Sequence, residues 1–282
     1  MNILILGGTA LAKQLAKALI NLNSINVIYS VAGRVRQPEL SCKVISGGFS
    51  QYNENYQYKK FRQALSDTNN SCHDGLLHFC EQQTIDLIID ATHAFATNIS
   101  QQAWQTSVTA DIPFWRLQHS PWLTSGALQR WQYDSINNVL DAVMQHKING
   151  RIFLALGQLD NSTVDSLSRL SQPENKQSSI SYLLRSIHSP AQLPKKCDWI
   201  SDIGPFDSSA EIALFRRHKV QAVICRNSGA PSSEAKLIAA KELNIPVFML
   251  ARPTLAEAQR TFCELPDCIQ AVQHFQDLKN AI

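Results

Sequence analysis

The stretch NILILGGTALAKQLAKALINL, Asn2 to Leu22, decides the fold. Ile3-Leu4-Ile5-Leu6 shows no polar alternation, the pattern of a central strand buried on both faces of a parallel sheet. Gly7 and Gly8 let the backbone turn tightly and approach a ligand. The helix after them carries Leu11, Leu15, Leu19 and Leu22 on one face. Unsatisfied amides and the positive end of the helix dipole meet at that turn, which suits a phosphate. Gly7, Gly8, Thr9 and Ala10 are therefore candidate cofactor-phosphate residues. The alternative is a plain strand-turn-helix, because Ala12 stands where a full G-x-G-x-x-G has its third glycine.

Outward from this unit, short apolar runs recur, each followed by glycine or polar punctuation and then a helical pattern. That is the rhythm of βα units around parallel sheets. The first half has runs at Ile3–Leu6, Val27–Val31, Val44–Ile45, Ile85–Ile89 and Ile112–Leu117. The second has Arg151–Leu156, Ile180–Leu184, Trp199–Ile200, Val220–Cys225 and Ile245–Leu250. Between them a strand at Leu128–Tyr133 leads into a helix from Ser135 to His146, stopped by Asn149 and Gly150. The reading is α/β, two Rossmann-like domains, each a mainly parallel sheet flanked by helices. Residues 1–149 are expected to form the first, dinucleotide-binding domain and 150–282 the second. Gln51 to His73, rich in Gln, Asn, Tyr, Ser and Lys, reads as a surface insertion, and Ser171 to Ser179 as a polar helix-to-strand link.

Composition agrees with a folded, globular protein: 44% of the 282 residues are hydrophobic and 17% charged, too few charges for a disordered chain. A net charge of +3 without a clustered basic face argues against nucleic acid. No apolar stretch reaches the ~20 residues of a membrane span, and Met1 runs straight into a strand, so a cytoplasmic protein is expected, with no membrane partner. Seven cysteines with no C-x-x-C pair read as reduced thiols, and no metal site is expected.

The second apolar run ends Ser30-Val31-Ala32-Gly33-Arg34-Val35-Arg36, with no acid before Glu39. In dinucleotide folds an acid there binds the ribose hydroxyls, whereas arginine accommodates a 2′-phosphate. Gly33 and Arg34 thus favour NADPH over NADH; the alternative is arginines that only solvate a loop. The fourth run ends Asp90-Ala91-Thr92-His93 and the fifth Trp115-Arg116-Leu117, both at carboxyl ends of strands, where open parallel sheets bind ligands. Thr92 is assigned to the cofactor. His93 is the candidate proton donor or substrate contact, against a packed helix-start histidine. Arg116 ends an apolar strand, which asks for a carboxylate or phosphate partner, or for a structural ion pair. Arg226, Asn227, Ser228 and Gly229 end another apolar run before a helix starting near Ser232, which Ser232 and Ser233 could cap; Lys236 falls about one turn into it. Trp104, Trp115, Trp122 and Trp131 either line a ligand site or pack the core.

With Gly7-Gly8-Thr9, Ala32-Gly33-Arg34 and these loops, and with Gly204-Pro205-Phe206, Asn227-Ser228-Gly229 and Ala235-Lys236-Leu237, the chain resembles the precorrin-6A reductase family of cobalamin biosynthesis. The resemblance covers nearly the whole chain in order, apart from the insertion. It implies a two-domain reductase with cofactor on the first domain and a polycarboxylate tetrapyrrole in a cleft between the domains. Hydride passes from NADPH to a macrocycle double bond, giving precorrin-6B. It also implies that Arg116, Gly157, Arg226, Asn227, Ser228, Gly229 and Lys236 contact the substrate. The chain departs from the family pattern at Leu11, Ala94, Gln158, Ile203 and, with charge kept, Arg226. Two other readings are another NADP-linked reductase on the same scaffold, and a nucleotide- or tetrapyrrole-binding homologue without catalysis.

Overall fold

A computed structural model describes residues 1–33, 38–52, 71–172 and 179–281. The chain divides into two compact units, one made of residues 1–119 and 254–282, the other of residues 120–253.

In the first unit β1 (Asn2–Leu6) leads into α1 (Ala10–Ile20), then β2 (Asn26–Val31) and β3 (Lys43–Ser46). The chain continues through α2 (Ser71–Gln82), β4 (Leu87–Asp90), α3 (Thr97–Ala110) and β5 (Phe114–Leu117). The last segment, β12 (Arg260–Phe262) and α8 (Leu265–Asn280), returns to this unit. Strand order is β3-β2-β1-β4-β5-β12, every pair parallel. The apolar run of β1 explains the layering. Ile3 and Ile5 pack with Leu11, Leu15 and Leu19 of α1 and with Cys268 and Val272 of α8. Leu4 and Leu6 pack on the opposite face with Leu76 and Phe79 of α2 and Ala103 of α3.

The second unit starts with β6 (Arg130–Tyr133) and α4 (Ile136–Gln145), followed by β7 (Arg151–Ala155), α5 (Asn161–Leu170), β8 (Ser181–Ser186) and β9 (Cys197–Ser201). It ends with α6 (Ser208–His218), β10 (Val220–Arg226), α7 (Ala235–Glu242) and β11 (Val247–Leu250). Its order is β9-β8-β7-β10-β11-β6, again all parallel. Ile152 and Leu154 face α4 and α5, whereas Phe153, Val223 and Cys225 face α6 and α7.

The first sheet therefore follows the doubly wound order 3-2-1-4-5-6, and the second has the same layout except that its outermost strand, β6, comes first in the chain rather than last. Each takes its sixth strand from the segment that follows the fifth strand of the other unit. This corrects the division expected between residues 149 and 150. β6 and α4 belong with the second unit because β6 pairs with β11, Trp131 stacks on Phe248 at 5.6 Å, and Val139, Leu140 and Val143 of α4 join that core. In exchange β12 pairs with β5, and Phe262 packs on Trp115 at 5.7 Å. Of the segment read as an insertion, residues 53–70 lie outside the described residues. Among the described residues no helix is long and apolar enough to cross a membrane.

Candidate active site

In the first unit the chain leaves β1 toward β2 on one side, while β4 lies on the other, so the strand order reverses between β1 and β4. Ligands of open α/β sheets bind at such a switch point, beyond the carboxyl ends of the strands. Gly7, Gly8 and Thr9 follow β1 there, and Ala91, Thr92 and His93 follow β4. The Thr9 hydroxyl joins the two loops: it donates to the Ala91 carbonyl at 2.8 Å and accepts from the Ala12 amide at 3.0 Å, capping α1. As first-turn residues, Ala10 and Leu11 have amides with no carbonyl four residues back in the helix to bond. No acid stands in the first turn of α1, so the positive end of its dipole is not neutralised locally.

Glycine is required at position 7 for a reason local sequence does not show. A Cβ there would lie 2.2 Å from Cζ of Tyr29, whose ring comes up from β2 beneath the turn. The Tyr29 hydroxyl accepts the Gly8 amide at 3.1 Å, and Gly8 itself has φ +106°. Gly33, at φ +73°, lies two residues past the end of β2, against Gly47. Arg34, on which the 2′-phosphate expectation rests, lies outside the described residues.

Thr92 is buried, and its amide and hydroxyl both donate to Asp90 Oδ1, at 3.1 and 2.6 Å. Its side chain thereby orders the loop. His93 is exposed, and its Nδ1 accepts the Phe95 amide at 3.3 Å, so the neutral ring carries its proton on Nε2. Arg116 is buried beside Asp90, its cross-strand neighbour, with Nε 3.6 Å from the carboxylate. Nη1 donates to the Ala256 carbonyl at 3.1 Å, and Nη2 is buried without a hydrogen bond among the described residues. Asp90 and Tyr29 were not singled out in the sequence; an acid closing the apolar run that ends at Asp90 was the available signal for the first.

The second unit has its own switch point between β7 and β10, where Gly157 and Arg226 sit together. A Cβ on Gly157, at φ +71°, would be 3.7 Å from Nη1 of Arg226. The helix start is occupied differently here. Asp160 caps α5, accepting from the Thr163 amide at 2.7 Å and the Ser162 hydroxyl at 2.9 Å. Those bonds, the Thr163 amide first, hold its pKa below the usual carboxylate value. Burial lowers the pKa of Arg226, and the Asp160 charge opposes that. This helix terminus already holds an anion, whereas α1 is capped by a neutral hydroxyl.

Asn227 forms its side-chain bonds inside the unit. Oδ1 accepts the Trp122 amide at 2.7 Å, while Nδ2 donates to the Trp122 carbonyl and to Gln132 Oε1. Arg252 donates to the carbonyls of Asn227 and Ser228 at 3.0 and 2.7 Å. A Cβ on Gly229 would stand 1.9 Å from the Ser120 carbonyl oxygen. The Asn-Ser-Gly turn thus clamps the segment from Ser120 to Trp122. The helix expected from Ser232 begins at Ala235, after a tighter turn over Pro231–Ser233, and no side chain caps it. Lys236 is buried rather than solvated: Nζ donates to the Ser233 carbonyl and lies 5.0 Å from the Trp122 ring centre. Burial lowers its pKa, opposed by Cys225 and Glu211. Trp115 and Trp131 are packing residues, against Phe275 at 5.6 Å and His146 at 4.4 Å respectively.

The family model "Precorrin-6x reductase CbiJ/CobK" matches residues 2–64 and 55–273. A precorrin-6A reductase of Rhodococcus erythropolis is 31% identical over 95% of this chain and 96% of its own. A cobalt-precorrin-6A reductase of Methanothermobacter thermautotrophicus is 25% identical over 71% of this chain and 65% of its own. The solved structure of CobK precorrin-6A reductase has a TM-score of 0.77 at 24% identity, covering 97% of this chain and 96% of that one; this likeness shows the shared fold.

Proposed function

The chain belongs to the precorrin-6x reductase family, and on that premise we propose that it is a cytoplasmic, NADPH-dependent precorrin-6A reductase of cobalamin biosynthesis. It reduces one double bond of the macrocycle and yields precorrin-6B. The observation that carries this reading is the first switch point, where Thr9 ties the two strand ends together beside a glycine turn and free helix amides. Those residues fit a dinucleotide. The turn has open space at Gly8, and α1 brings no acid to repel a phosphate. The acidic cap of α5 makes the second unit the poorer host for the same group, although its fold is alike.

Gly7 and Gly8, whose own amides are bonded to the Ser30 carbonyl and the Tyr29 hydroxyl, give the cofactor phosphates room to approach Thr9 and Ala10, Gly33 and Arg34 are assigned to the 2′-phosphate end, and Thr92 fixes the facing loop. The reduced nicotinamide, when bound, supplies the hydride. His93 holds a proton on Nε2 at the same edge and is assigned its delivery to the substrate. Arg226, beside Gly157, and Lys236 meet substrate carboxylates, as does Nη2 of Arg116; Asn227, Ser228 and Gly229 hold the loop that carries them. The test is NADPH oxidation with precorrin-6A and, in parallel, with its cobalt complex. Oxidation that requires the macrocycle is expected. Tight NADPH binding without oxidation would overturn the enzyme reading, and faster oxidation of NADH would overturn the role of Arg34.

A further inference from the structure

Tyr29 does more at the glycine turn than fill space. It stands on β2, in register with Ile5 of β1, and its ring is 1% exposed. The volume that a Cβ of residue 7 would take is occupied by the phenol end of this ring, with Oη 2.4 Å from that position. A phenylalanine would fill the core equally well, so the presence of a hydroxyl under the turn asks for a polar reason. One half of that reason is visible: Oη accepts the Gly8 amide. The other half is the hydroxyl proton, for which no acceptor is found among the described residues. Buried tyrosine hydroxyls ordinarily find a partner for that proton, since a donor left unpaired away from water is destabilising.

We infer that the Tyr29 hydroxyl donates to a phosphate oxygen of the bound cofactor, completing a set of donors begun by the amides of Ala10 and Leu11. The inference rests on the reading of the first switch point as a dinucleotide site. Accepting the Gly8 amide polarises the phenol and strengthens its own donation. Burial, which raises the phenol pKa, keeps the proton in place throughout the neutral range. The glycine at 7 and the tyrosine at 29 form one device: the first gives up its side chain so that the second can place its hydroxyl beneath the turn.

The test is Tyr29→Phe, which keeps the ring and removes only the oxygen. NADPH and ADP-ribose, both diphosphates, are titrated into wild type and variant by calorimetry, precorrin-6A binding is measured alongside, and unliganded melting is recorded. The expectation is a roughly tenfold or greater rise in Kd for both diphosphates, the size of a lost bond to a charged acceptor, with precorrin-6A affinity unchanged. Equal diphosphate affinity in the two proteins overturns the inference while leaving the cofactor reading intact. So does a uniform weakening of all three ligands that follows a drop in melting temperature. Wild type that binds no NADPH overturns both. Should the variant not fold, the tyrosine bands in ultraviolet resonance Raman spectra of the wild type decide. A shift toward a donating hydroxyl on adding NADPH supports the inference, and no shift overturns it.

Discussion

Two glycines with the same backbone sign make opposite demands on their surroundings. Gly8, at φ +106°, has open space where a side chain would go, while Gly229, at φ +68°, has the Ser120 carbonyl oxygen 1.9 Å away. Gly8→Ala should therefore lose only about 1–2 kcal/mol of stability, the cost of a strained φ. Gly229→Ala should lose about 4 kcal/mol or more, because neither backbone can yield without breaking the Asn227 clamp. Urea unfolding of the two variants checks the ranking; equal losses would refute the clamp. Gly7 and Gly8 were readable in the sequence as a tight turn, since a strand run precedes them and an amphipathic helix follows. Tyr29 was not readable, because its contact with residue 7 depends on the register between β1 and β2. Arg116 was readable as a charge out of place in an apolar strand, and its partner Asp90 became evident only when β4 and β5 were seen side by side.

At the scale of elements, helix starts separate the two units more sharply than their sheets do. α1 begins with a hydroxyl cap and α5 with a carboxylate cap. The bonds to Asp160 lower its folded pKa below the unfolded value. Its contribution to stability is thus present above about pH 4 and is lost as pH falls through the folded value. Asp160→Asn keeps an accepting oxygen and should flatten the loss of stability on acidification below about pH 4, measured as urea midpoint against pH; an unchanged acid limb would contradict the cap's role. Periodicity located the strands and the helix over α4 to within a few residues. It missed β12, only three residues long, and misplaced the start of α7, where Pro231 opens a tighter turn before the helix proper. Short strands and mixed helix starts leave too few residues for a period to register.

For the whole molecule, sequence order and spatial membership part company. The alternation of strands and helices made two parallel sheets legible, yet the same alternation is silent on which sheet a given strand joins. β6 and α4 read as a continuation of the first five strands and instead complete the second sheet. Cutting at residue 149 would leave β11 without its edge partner and strip α4 from its core, whereas residues 120–253 form a contiguous segment with a complete six-stranded sheet. The fragment 120–253 should unfold cooperatively in denaturant, and the fragment 150–282 should not. A cooperative transition in 150–282 would refute the membership of β6. Residues 1–119 have no such autonomy, because their outermost strand and its helix are the final part of the chain. During synthesis at ~5–20 residues per second, the first unit must wait on the order of ten to thirty seconds, with the edge of β5 bare, until the last stretch leaves the ribosome. The later-made unit matures first, and shielding a nascent β5 edge becomes a problem of the cell's quality control rather than of the finished enzyme.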